Sequence, residues 1–120
     1  MNQININPEQ TDRTTAAAAT AATFMRAAAR PELTRTAWHA GVAPLLTASA
    51  REAARTVDPA TIAAHKVTGP ATVLPGAEKD ARTVTVPTDA GAYTLFLRWD
   101  QPAGRWLVQT YQPPEIHQDE

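Results

Sequence analysis

The pattern of apolar and polar positions divides the chain into two halves. Up to about Val57 the sequence is rich in alanine and shows almost no alternation. After Ile62 it is rich in valine, threonine and aromatic residues, and proline and glycine interrupt it. Alanine favours helices, whereas β-branched and aromatic residues favour strands. The pattern therefore predicts helices over about 8–57 and strands over about 64–112.

The first helix is predicted to begin at the sequence NPEQ and to end at about Ala29. Asn7 suits the N-cap and Pro8 suits the first helical position. Because this helix has few large apolar residues, its buried face is inferred from helical spacing. The face consists of Ala17, Ala21, Phe24 and Ala28. An untied arm before about Thr15 is the alternative interpretation.

Two shorter helices are predicted to follow. The first begins near Pro31 or is capped by Thr34, and the second is capped by Thr47 or Ser49. The apolar positions of the first helix are Trp38, Val42, Leu45 and Leu46. Those of the second are Ala50, Ala54 and Val57. Each helix thus has one face to bury, and Asp58-Pro59 is predicted to end the helical half.

Four strands are predicted in the second half, because three turn sequences separate runs of strand-forming residues. The turns are PGAEKD, TDAG and QPAG, and such short connections join antiparallel neighbours. The predicted strands are 64–74, with Gly69-Pro70 as a bulge or kink, 81–86, 92–100 and 105–112. Pro87 is predicted to end the second strand, and Pro113-Pro114 the fourth.

The predicted fold class is α+β, with N-terminal helices packed on a bent four-stranded antiparallel meander. A chain of 120 residues is long enough for one domain with one core. We expect that domain to span 1–115 and a flexible polar tail to span 116–120.

Alternate residues of the last two strands point to opposite faces of the predicted sheet. One row is strongly apolar and is predicted to bury against the helices: Tyr93, Leu95, Leu97 and Trp99. The other face is predicted to form an interface: Phe96, Arg98, Leu107 and Tyr111. That is more apolar surface than a solvated sheet needs, although scattered surface aromatics are the alternative interpretation.

The charge balance and the composition exclude several classes of function. The chain has eleven Lys and Arg residues and twelve Asp and Glu residues, so no basic surface for nucleic acid is predicted. The chain has no cysteine, which excludes disulfides and thiolate chemistry. It also has no apolar run that would span a bilayer, so no direct membrane insertion is expected. A cytoplasmic chain and the extracytoplasmic domain of an anchored parent both stay open.

Candidate catalytic residues are few. Acid-base chemistry would draw on His39, His65, Tyr93, Asp100 and Tyr111. Asp100 lies at a turn, where Asp commonly bonds to its own backbone, and His39 points away from the buried Trp38. The three histidines are far apart in sequence, so no metal site is predicted. No catalytic set and no cofactor is therefore expected.

Several segments resemble small actinobacterial members of the nuclear transport factor two-like (cystatin-like) superfamily. The resemblance covers about 24–115 and rests on Trp38, on PLLT at 44–47, on VPTDAG at 86–91 and on RWLV at 105–108. It implies a cone-shaped sheet wrapped by helices. It also implies a soluble domain of a conjugal-transfer or other membrane-associated protein.

The interior of such a cone is either a pocket or a filled core. Its predicted lining is Phe24, Trp38, Tyr93, Leu95, Leu97 and Trp106. The favoured hypothesis is a non-enzymatic interaction or assembly domain that binds another protein or a second copy of itself. The alternative is a small-molecule-binding or isomerase-like protein that holds a small apolar ligand in the interior, with His65 and Tyr93 as its polar groups.

Overall fold

The computed structural model describes residues 8–75 and 80–114, with side chains from Arg13 onward. Three α-helices precede a four-stranded antiparallel sheet of order β1-β2-β3-β4. The helices are α1 (Pro8–Ala28), α2 (Arg35–Val42) and α3 (Ala48–Ala53), and 3₁₀ turns span Ala43–Leu45, Ala54–Thr56 and Pro59–Thr61. The strands are β1 (Thr72–Val73), β2 (Ala81–Thr88), β3 (Gly91–Asp100) and β4 (Arg105–Gln112). The predicted α+β fold class is confirmed.

Helix α1 packs on the sheet through a face of small side chains. The predicted positions are all buried: Ala17, Ala21, Phe24 and Ala28. Two tryptophans bind the backbone of this helix. Trp106 Nε1 donates to the carbonyl of Arg13 at 2.7 Å, and Trp38 Nε1 donates to that of Ala28 at 2.9 Å. The helix begins at Pro8, so the segment before Thr15 is helical, while Asn7 lies outside the described residues.

Threonine side chains begin the two shorter helices. Thr34 Oγ1 accepts from Ala37 N at 3.1 Å, and Thr47 Oγ1 accepts from Ala50 N at 3.2 Å. These bonds satisfy backbone donors that a helix leaves unpaired at its first turn. The helical half ends one 3₁₀ turn later than predicted, because Asp58 caps the turn Pro59–Thr61.

The first strand is much shorter than predicted. Strand β1 comprises only Thr72 and Val73, and Val67 forms an isolated bridge with Thr88. Gly69-Pro70 lies between these two contacts and breaks the ladder, since proline has no N–H to donate. The segment 67–74 therefore covers the edge of β2 irregularly rather than as one strand.

Pro87 does not end the second strand, contrary to the prediction. It pairs with Ala92 inside β2, which continues to Thr88. The carbonyl of Pro87 accepts from Thr68 N at 3.0 Å, so its nitrogen faces the irregular edge of the sheet rather than β3. The missing N–H therefore removes no hydrogen bond of the β2–β3 ladder.

Two of the three predicted turns lie within the described residues. Asp89 and Ala90 connect β2 to β3, and Gly91 follows them with a φ of 116°. Gly104 closes the turn between β3 and β4 with a φ of 65°, a conformation that glycine adopts without strain. The third turn, PGAEKD, includes residues 76–79 and lies mostly outside the described residues.

Candidate functional site

The inner face of the sheet is packed rather than hollow at the predicted pocket residues. Each of these six side chains is at most 3 % exposed, and all belong to one hydrophobic cluster: Phe24, Trp38, Tyr93, Leu95, Leu97 and Trp106. Protein interiors at this packing leave little room for a ligand. The interior around five of these residues is therefore a filled core, which is one of the two arrangements expected from the sequence, whereas Tyr93 also lines a cleft described below.

A β-bulge in β4 changes the face on which Tyr111 lies. Leu97 pairs with Val108, but the preceding residue of β3, Phe96, pairs with Thr110, so Gln109 is an extra residue. After an extra residue the alternation of side chains reverses. Tyr111 therefore lies on the inner face, where its ring is 5.3 Å from that of Phe24. The prediction that Tyr111 belongs to the outer interface is wrong.

The other three predicted interface residues lie together on the outer face of the sheet. Phe96 pairs with Thr83 on one side and Thr110 on the other, and Arg98 pairs with Leu107. Phe96 and Leu107 are half-buried, while Arg98 and Thr110 are exposed. The helices pack on the opposite face, where the buried residues of β2, β3 and β4 lie. We call the five residues of the open face the outer patch: Thr83, Phe96, Arg98, Leu107 and Thr110.

A polar cleft of about 290 Å³ adjoins the outer patch. It lies between the start of α3 and the ends of β3 and β4, and Ser49, Arg98, Asp100 and Leu107 contribute to its walls. The cleft thus gives the outer patch a concave margin with hydroxyl, guanidinium and carboxylate groups.

Two further clefts lie along the same outer edge of β4, nearer to the end of the strand. One has a volume of about 200 Å³ between α3 and β4, and the other has about 520 Å³ between the turn Pro59–Thr61 and the two tyrosines. Val57 and Tyr111 line both. Burial raises the pKa of Tyr111, and it also raises the pKa of Tyr93, so both phenols stay protonated at neutral pH.

The structure separates the remaining candidates for acid-base chemistry. His65 is exposed and its Nδ1 lies 3.6 Å from Asp89 Oδ2, outside the core. His39 Nε2 lies 3.0 Å from the carbonyl of Arg51. Asp100 accepts from Ala103 N at 3.2 Å, as expected for a turn aspartate. None of these contacts involves Tyr93 or Tyr111.

Asp89 holds the chain before β1 in place. Its Oδ1 accepts from His65 N at 2.8 Å and from Lys66 N at 3.2 Å. The hydrogen bond from His65 N is the main reason that the pKa of Asp89 is lower than usual. The contact between His65 and Asp89 is accordingly a loop anchor.

Sequence reasoning missed a cluster of arginines and tryptophans below the first half of α1. Arg13 lies 4.2 Å above the ring of Trp99, and Arg82 lies 5.2 Å from that of Trp106. The two indoles meet edge to face at 5.3 Å. Arg82 is only 6 % exposed, and it alternates with the threonines of β2, so that it shares a face with Val84 and Val86. That alternation is the one signal in the sequence that places Arg82 on the inner face.

Within 8–75 and 80–114, no three His, Cys, Asp or Glu side chains come together as metal ligands. Among the same residues, no helix has the length and the apolar character needed to cross a membrane.

Comparison of the chain with protein-family models, with curated proteins and with solved structures gives no match. The resemblance to the cystatin-like superfamily therefore stays a prediction.

Proposed function

We propose that this protein is a non-enzymatic interaction domain that binds another protein, or a second copy of itself, through the outer patch. The observation that carries the proposal is the position of Phe96. This aromatic side chain lies at the centre of the sheet face that the helices leave open, and its two cross-strand neighbours are threonines.

The composition of the outer patch suits a protein partner. Aromatic residues and arginine are enriched among the residues that dominate binding energy at interfaces. Phe96 and Arg98 lie two positions apart on β3, a central strand, so their backbone is held in place on both sides. A rigid patch loses little conformational freedom on binding.

The partner we propose is a component of a membrane-associated assembly of the conjugation or secretion type. This part of the proposal is supported by the resemblance of residues 24–115 to soluble domains of such assemblies. Under this proposal the domain would act as an accessory subunit that brings components together.

The isomerase-like alternative has less support. Its proposed interior is occupied by packed side chains, and His65 lies outside the core. We therefore propose no catalytic role.

The test is a substitution of Phe96→Asp, compared with Ala40→Asp on the exposed side of α2. Both variants add one negative charge, but only the first lies in the outer patch. Association is measured by sedimentation velocity for the purified chain, and by crosslinking with mass spectrometry in the source cells. We expect Phe96→Asp to lose the association and Ala40→Asp to retain it, with circular dichroism unchanged in both.

Equal association of the two variants would contradict the proposal. So would a wild-type chain that stays monomeric and crosslinks to no stoichiometric partner.

A further inference from the structure

The outer edge of β4 already pairs with an extended segment of the same chain. Leu46 forms a parallel bridge with Val108, and Thr47 N donates to the carbonyl of Val108 at 3.0 Å. The pairing lasts for one position, because the chain then turns into α3 at Ala48. Beyond that point α3 runs beside the edge of β4 without pairing to it.

The next backbone groups on this edge belong to Tyr111. Trp99 N donates to Asp80 O at 2.9 Å, which shows that this residue of β3 directs its backbone towards β2. Leu95 lies four positions earlier and has the same orientation. Its partner Tyr111 therefore forms a non-hydrogen-bonded pair with it and directs its own N–H and C=O to the outer edge. No described residue forms a backbone hydrogen bond with these two groups.

The cleft of about 200 Å³ lies directly beside these groups. Its lining is mostly small or aliphatic on the α3 side: Leu46, Ala50, Ala53, Ala54 and Val57. Gln109, Thr110 and Tyr111 of β4 form the other wall. An unpaired strand edge and an apolar recess thus occur side by side, with room for an apolar side chain.

We propose that an extended peptide segment of a partner protein binds along this edge of β4. Its backbone would pair with the N–H and C=O of Tyr111, and one apolar side chain would enter the cleft between α3 and β4. This is strand addition, in which backbone pairing provides affinity and a pocket for alternate side chains provides specificity. The peptide would lie next to Leu46 and Thr47 along the strand, since these two residues already contact the same edge of β4.

Backbone complementarity favours a peptide over other occupants. A small apolar molecule would fill the recess and leave the donor and the acceptor of Tyr111 without backbone partners. An extended chain supplies both groups at the required spacing. The site shares Thr110 with the outer patch, but its pairing groups lie on the edge of β4 and not on the open sheet face.

The test selects short random peptides from a display library on the immobilised wild-type chain. The most enriched peptide is then synthesised, together with variants that carry one N-methylated peptide bond each. We expect N-methylation to abolish binding at the one residue whose N–H bonds to the carbonyl of Tyr111, and not at its two neighbours, because their N–H groups point away from β4. We also expect bound peptide to slow hydrogen exchange at the amide of Tyr111.

Ala53→Phe is the matched variant, because Ala53 is exposed and lines the cleft. Ala40→Phe is its control, since Ala40 is exposed on α2 and is not among the residues that line the cleft. We expect the first to weaken peptide binding by about tenfold or more, as the loss of a central contact does, and the second to leave it unchanged.

Three results would overturn this inference. The first is that no peptide is enriched, and the second is that the enriched peptide binds Ala53→Phe as tightly as wild type. The third is that all N-methylated forms bind equally, which would indicate a recess for side chains or small molecules without strand pairing. None of these depends on Phe96, so a failure here leaves the proposal for the outer patch untouched.

Discussion

At the scale of single residues, tryptophan compensates for the small side chains of α1. An alanine face lets the helix lie close to the sheet but provides little apolar area per residue. Trp106 from β4 and Trp38 from α2 both donate to carbonyls of α1. These bonds are directional, so they fix the position of a helix that apolar packing alone would hold loosely.

We predict that Trp106→Phe lowers the free energy of unfolding by about 2 kcal/mol, because the carbonyl of Arg13 loses its donor and the site loses volume. Trp99→Phe is the control, since Trp99 is half-buried and its ring contacts the guanidinium of Arg13 and not its carbonyl. We expect that change to cost about 1 kcal/mol or less. Urea unfolding of both variants measures the difference. Equal costs would mean that the indole hydrogen bond does not hold α1.

At the scale of elements, the bulge at Gln109 determines which face Tyr111 occupies. Without it, regular alternation would place Tyr111 beside Leu107 on the outer face, as the sequence pattern predicts. With it, Tyr111 packs on Phe24 and lines the clefts beside α3. One extra residue thus moves Tyr111 away from the outer patch and places it beside the cleft between α3 and β4.

We predict that deletion of Gln109 costs more than about 3 kcal/mol of unfolding free energy, because it turns Tyr111 away from Phe24 and shifts the end of β4. Gln109→Ala keeps the extra residue and removes only an exposed side chain, so we expect a change within about 0.5 kcal/mol. Thermal and urea unfolding compare the two. A mild effect of the deletion would show that the bulge is not needed for the packing of Tyr111.

Elements set by local chemistry could be predicted from the sequence. The caps at Thr34 and Thr47 and the turns after β2 and β3 follow from residue types at fixed spacings. The length of β1 and the inclusion of Pro87 in β2 could not be predicted. Both depend on how the segment before β2 pairs with the edge of β2. That choice is made by tertiary contacts.

The candidate surfaces were partly predictable for the same reason. Alternation placed Phe96, Arg98 and Leu107 on one face correctly, since β3 and the start of β4 are regular. It failed at Tyr111, because an inserted residue in a ladder leaves no mark in a sequence of alternating apolar positions. The cleft beside α3 could not be predicted either, because it arises where a helix passes a strand edge.

At the scale of the whole molecule, charge does not direct partners to either surface. The formal net charge is −1, so long-range steering by the total charge is weak. Recognition would then depend on contacts at short range: apolar and guanidinium groups at the outer patch, and backbone pairing at the edge of β4. Because these contacts use different atoms, the two surfaces should respond to different substitutions.

Phe96→Asp should abolish association through the outer patch and leave binding of the selected peptide within about twofold of wild type, because independent sites contribute additively. Ala53→Phe should do the reverse, and the double variant should lose both. Sedimentation velocity reports the first interaction and calorimetric titration with the peptide reports the second, on the same four proteins. If Phe96→Asp weakens the peptide as well, the two surfaces form one continuous interface. A partner would in that case cross from the open face of the sheet over the edge of β4 to α3.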